Sequence, residues 1–154
     1  MFGQGMDWGR VRIWNKKYPL HFGFQKNDMA ISPNGGDIYF GPAAYMDDFS
    51  VSPGNMSFLV HELGHVWQVQ NGFGLTFPPR GYNYAPVLAR GGGWAQMTTE
   101  GQAEVVGDLY LRMNGYRPNY ALPIGHSAAT LSSLVPFSVP GYQAPSPPSW
   151  GWQP

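Results

Sequence analysis

The chain has 154 residues, the length of one ordinary domain, and its nine basic and nine acidic residues leave a formal net charge of zero. That balance removes the electrostatic basis for binding nucleic acid or an anionic membrane surface. Charged residues make up only 12% against 16% aromatics, no cysteine is present, and 21 Gly with 15 Pro predict a loop-rich backbone around an aromatic core. No apolar run approaches the length of a membrane span, and the N-terminal "MFGQGMDWGRVRIW" lacks the basic-then-apolar pattern of a secretory signal.

In chain order, residues 1–24 alternate weakly (Val11, Ile13 and Trp14, then Tyr18, Leu20, Phe22 and Phe24) and predict one or two short strands. "SPNGGDIYF" places turn chemistry at Asn34-Gly35-Gly36 before a strand of Ile38, Tyr39 and Phe40, so 28–40 reads as a hairpin. Ser52 or Asn55 can cap the helix that follows, in which Met56, Leu59, Val60, Leu63, Val66 and Trp67 recur at helical spacing and Asn71-Gly72 marks the end. Residues 72–97 read as a long ordered loop rich in Gly, Pro and aromatics. A second helix begins at a capping box of Thr99 with Gln102, buries Ala103, Val106, Leu109, Tyr110 and Met113, and stops at Asn114-Gly115. A short third helix falls near 126–134. The chain therefore divides into a domain of residues 1–134 and a Pro-rich tail or strap, 135–154, whose Trp150 and Trp152 suit it to docking.

The chemistry sits in "FLVHELGHVWQ". On a helix, positions i and i+4 lie one turn apart on one face, so His61 and His65 can converge on one zinc ion. Glu62 then stands beside the metal's water, which zinc brings to a pKa near 7, and can take its proton as general base. A chance match inside a core helix arises in roughly one chain of this length in several hundred. An unpaired Glu62 between apolar neighbours would also cost several kcal/mol. A catalytic zinc needs a third protein ligand, which without cysteine must be His, Asp or Glu. Glu100, Glu104 and Asp108, spaced by four, line one stripe of the second helix. Two registers satisfy the need. Either Glu100 binds the metal and Glu104 orients a histidine, or Glu104 binds and Asp108 orients. A solvated acidic face is the alternative to both.

"HELGHVWQ" followed by "EGQAE" resembles the gluzincin class of zinc metallopeptidases, whose pattern is H-E-x-x-H and then a distant glutamate in E-x-x-A-[DE]. The resemblance favours Glu100 as ligand with Glu104 behind it, although "EVVGD" fits the related E-x-x-x-D string. A longer series in order, "MDWGRVRIWNKKY", "ISPNGGDIYF", "DDFS", "FLVHELGHVWQVQNG" and "EGQAEVVGDLYL", resembles the small metallopeptidase-like domains found alone or fused to VgrG spike proteins of bacterial type VI secretion systems. This resemblance implies a bacterial toxic effector, cytoplasmic until a secretion machine delivers it, with one zinc per chain held by His61, His65 and Glu100. It further implies a protein or peptide substrate, a VgrG-type spike as carrier and a cognate immunity protein. Gly101 departs from the family's more usual E-Q-Q-A.

The expected architecture is a small zincin-like α+β domain: a short antiparallel sheet packed on the His61/His65 helix and the glutamate-bearing helix. Tyr82 and Tyr84 in the long loop are the leading candidates to stabilise an oxyanion, ahead of Tyr110 and His126. His21 reads as a packed histidine, and Trp67 as core or a wall that keeps the site dry. The rival readings are a zinc-stabilised adaptor of a secretion spike and a peptide-binding pseudo-protease, the second disfavoured by the presence of Glu62.

Overall fold

The computed structural model describes residues 1–20, 22–75, 80–120 and 126–137. Three strands, β1 (Arg12–Asn15), β2 (Ala30–Ile31) and β3 (Asp37–Phe40), form one sheet in the order β1-β3-β2. Four helices follow among the described residues: α1 (Pro53–Gln70), α2 (Ala85–Ala89), α3 (Thr99–Met113) and α4 (Ala128–Leu134). The architecture is α+β, as expected.

The sheet is mixed rather than antiparallel. β2 and β3 form the expected antiparallel pair across the Asn34-Gly35-Gly36 turn, with Ala30 opposite Phe40 and Ile31 opposite Tyr39. β1 pairs with β3 in parallel, from Arg12 opposite Asp37 to Asn15 opposite Phe40. A parallel pair needs a long connection, and residues 16–36, which include β2, supply it. β3 reaches deepest into the core: Ile38 and Phe40 are fully buried, while Tyr39 turns outward to stack on Trp14 with ring centroids 6.2 Å apart. All four residues of β1 are exposed, and no strand forms over 18–20 or 22–24, where Phe22 and Gly23 take positive φ.

Helix boundaries follow the capping chemistry. The Ser52 side chain accepts from Asn55 N, Pro53 occupies the first turn, and Gly72 ends α1 at φ +82°. In α3 the cap is Thr98, one residue before the expected Thr99, and its hydroxyl accepts from Gly101 N at 2.9 Å. The 72–97 segment is less irregular than expected, since α2 forms within it. Ser127 caps α4.

The pairing of α1 with α3 organises the molecule. Glycines set their closeness: a Cβ on Gly64 would stand 3.2 Å from Ala103 Cα, and one on Gly107 would stand 3.0 Å from Ser57 Oγ. From Val60 to Gln68 every residue of α1 is buried, and so is every residue of α3 from Glu100 to Leu109. The acidic stripe on α3 is therefore not a solvated face. Trp67 belongs to an aromatic cluster with Trp94 and Phe137, so residues 135–137, where the Pro-rich segment begins, pack on the core. The remainder of that tail, with Trp150 and Trp152, lies outside the described residues, as does His21.

Candidate metal centre and cleft

α1 places His61 and His65 one turn apart, with ring centroids separated by 4.9 Å. α3 crosses beside them and offers Glu100 from its first turn. Glu100 Oε2 lies 3.4 Å from His61 Nε2 and 3.2 Å from His65 Nε2. One donor atom from each of the three residues lies within 4.8 Å of the others, a triad that could hold a metal ion. Of the two sequence registers, the geometry brings this one together.

Glu104, one turn along α3, sits behind His61, with Oε2 3.0 Å from His61 Nδ1. Its other oxygen accepts from Asn119 Nδ2 at 2.9 Å. Asp108 touches neither histidine. It accepts from Asn119 N at 2.6 Å, Tyr120 N at 3.2 Å and Tyr84 OH at 2.7 Å, so it clamps the segments on either side of α3. Burial pushes the Asp108 carboxyl above its usual range despite these bonds.

Two positioning residues were not expected from the sequence. Gln68 Nε2 donates to Thr99 O at 2.8 Å and to Gln102 Oε1 at 2.9 Å, which turns Gln68 Oε1 toward His65 Nδ1 at 2.8 Å. Its spacing of three from His65 on the same helix is the only signal the sequence offered. Ser32, just after β2, donates its hydroxyl to Glu62 Oε2 at 2.7 Å. That contact spans thirty positions and leaves no local trace in the sequence.

The partners fix the tautomers. Glu104 and Gln68 present acceptor oxygens, so both Nδ1 atoms carry the proton and both Nε2 lone pairs face Glu100. Three lone pairs converging in a buried site repel one another unless a cation lies between them. This donor set, two imidazoles and one carboxylate with oriented rings, fits a zinc ion with one position left for water. Without the ion a proton takes that role. Burial pushes the His61 imidazolium down, but Glu100 and Glu104 outweigh it and lift its pKa to about 10. Burial likewise pushes Glu100 up, but its contacts with His61 and His65 outweigh it and hold the carboxyl at about 2.

The oxyanion candidates separate. Tyr82 stacks on His61 at 6.0 Å with a 23° interplanar angle and lines the cavity in front of the triad. Burial, then the charges of Glu100 and Glu62, push its hydroxyl up to about 12, so it stays protonated at neutral pH. Gly81, at φ +73°, carries this loop over the first turn of α3. A Cβ on Gly101 would stand 3.1 Å from Gly81 O, so glycine at 101 permits the approach. Tyr84 is fully buried on Asp108 and does not line the cavity, nor do Tyr110 and His126.

The fold and the donor set together define an α+β domain with a candidate three-ligand metal centre where two helices cross. No protein-family profile matches the chain. It is 29% identical over 127 aligned residues to the type VI secretion system spike protein VgrG2b of Pseudomonas aeruginosa, an alignment covering 75% of this chain and 12% of that protein. In structure it is similar to the effector domain of Pseudomonas aeruginosa VgrG2b, with a TM-score of 0.56 and 24% identity over 86% of this chain and 72% of that one. Among the described residues, no helix is long and apolar enough to cross a membrane.

Proposed function

We propose that the chain is a zinc-dependent peptidase domain of a type VI secretion effector. The observation that carries this reading is the convergence of His61, His65 and Glu100 in a cleft that also holds Glu62. His61, His65 and Glu100 would hold the ion. Bound there, zinc supplies Lewis acidity that lowers the pKa of water toward 7 and polarises a peptide carbonyl.

The remaining work falls to the chain's own groups. Glu104 and Gln68 hold the two rings in the donor tautomer. Ser32 engages one oxygen of Glu62, and the other accepts a proton from the attacking water and returns it to the leaving amine. The Tyr82 hydroxyl donates to the oxyanion that develops on the carbonyl oxygen. The substrate is a protein or peptide, including a cell-wall peptide. Similarity to the spike protein VgrG2b supports delivery on a VgrG-type spike. A toxic peptidase would also call for an immunity protein in the producing cell.

The test is metal analysis and proteolysis on purified wild type beside Glu62→Gln. One zinc per chain in both, with hydrolysis of labelled casein only by wild type, supports the reading. Wild type without zinc, or a Glu62→Gln variant that still hydrolyses, overturns it.

A further inference from the structure

The cavity that contains the triad does not end there. Its volume is about 530 Å³, and it runs on along a wall of Tyr18, Leu20, Phe22 and Phe24. These residues belong to the irregular connection between β1 and β2. Leu20 is 59% exposed, Phe22 81% and Phe24 61%. Three large apolar side chains held in water along one short segment, and continuous with a cleft, mark a binding surface.

The backbone supports the same conclusion. Phe22 has φ +47°, a region bulky residues rarely adopt, and such outliers persist where the surroundings hold them and gather at binding sites. The wall is a built structure. The side chain of Gln25 is buried, accepts from Tyr18 N at 2.7 Å, and donates to Tyr39 O at 2.8 Å and Met29 O at 3.1 Å. Its amide thereby ties the segment to β3. Outside His61 and His65, the charged side chains lining the cavity are carboxylates (Asp28, Glu62 and Glu100), and among the described residues no Lys or Arg lines it.

We propose that this wall is a recognition subsite for a bulky apolar side chain, aromatic or long aliphatic, of a peptide lying across the candidate metal centre. Asp28, the carboxylate that lines the cavity outside the candidate metal centre, disfavours acidic side chains there. The subsite rests on the peptidase reading for the identity of its occupant, and binding can be measured apart from cleavage.

The experiment uses the full chain carrying Glu62→Gln with one equivalent of zinc. Fluorescence polarisation reads its binding to labelled peptides Gly-Gly-Ala-X-Ala-Gly-Gly with X as Phe, Leu, Ala, Lys or Asp. The Phe and Leu peptides are expected to bind about 10- to 100-fold more tightly than the Ala peptide, with Asp weakest. A Phe22→Ser/Phe24→Ser double variant, altered at exposed positions and checked for an unchanged circular dichroism melt, is expected to lose that preference. Equal binding of all peptides, no binding of any, or a preference unchanged in the double variant overturns the subsite. Wild type is incubated with the same peptides and the products read by mass spectrometry. Selective binding without cleavage keeps the subsite and removes the peptidase reading. Cleavage without apolar preference does the reverse.

Discussion

Two regions of this molecule invert the usual placement of residues. Where α1 crosses α3, charged or strongly polar side chains are buried among the apolar ones: His61, Glu62, His65, Gln68, Glu100, Glu104 and Asp108. Along residues 8–24, large apolar side chains stand exposed beside Arg10, Arg12 and Lys16: Trp8, Ile13, Trp14, Leu20, Phe22 and Phe24. Burying a carboxylate costs several kcal/mol unless it is paired, and each buried carboxylate at the crossing has a hydrogen-bond partner. The crossing is therefore a closed network in which one change disturbs its neighbours. The wall of Leu20, Phe22 and Phe24 is more than half exposed at each position and is less tightly packed than the crossing. Substitutions at the crossing should act on metal binding, chemistry or stability, and those on the wall should act on recognition alone.

The comparison can be broken most decisively at Glu62. Under the proposed reaction, Glu62→Gln keeps the shape of the side chain and lowers hydrolysis by about 10²- to 10⁴-fold, with zinc still at one per chain. Simultaneous loss of zinc would place Glu62 in the structural network instead. Next come the two glutamates of α3. Glu100→Ala should abolish stoichiometric zinc binding, while Glu104→Ala should weaken it about 10- to 100-fold, as read by competition with a chromophoric chelator. The opposite ranking would make Glu104 the third ligand.

Gly64→Ala tests whether the helices must lie so close. The added Cβ would meet Ala103 Cα at 3.2 Å, a backbone atom that cannot turn aside. A loss of about 1–3 kcal/mol in denaturant unfolding is expected, with weaker zinc binding as the donors spread. Ser32→Ala removes the hydroxyl that holds Glu62 Oε2. Turnover should fall about 10-fold, zinc binding should not change, and Ser32→Thr should restore much of the rate.

The smallest effect belongs to the exposed sheet. Hydrogen bonds from Trp14 and Asn34 hold the Asp37 carboxyl below its usual value. Its folded pKa is depressed, so its contribution is present above the unfolded value of 3.8 and fades as pH falls through the folded one. Asp37→Asn should lower the melting temperature slightly at neutral pH and leave it unchanged at the acid end of that window. An equal drop at both ends would assign the effect to packing.

The sequence by itself determined the local parts. Helical spacing fixes His61 and His65 on one face of α1, because 3.6 residues per turn brings i and i+4 together whatever lies around them. Ser52, Asn71-Gly72 and Asn114-Gly115 set helix ends through hydrogen bonds that reach only a few residues. The stripe of Glu100, Glu104 and Asp108 was legible for the same reason, and its order narrowed the third donor to two registers. Tertiary structure decided the rest. The depth at which α1 meets α3, set by Gly64 on Ala103 and Gly107 on Ser57, places Glu100 rather than Glu104 before both Nε2 atoms. The parallel pairing of β1 with β3, the reach of Ser32 to Glu62 and the turn of Tyr82 rather than Tyr84 over His61 all join residues distant in the chain. Periodicity reports only which face a residue occupies. Which face meets which, and at what distance, follows from packing that no local pattern encodes.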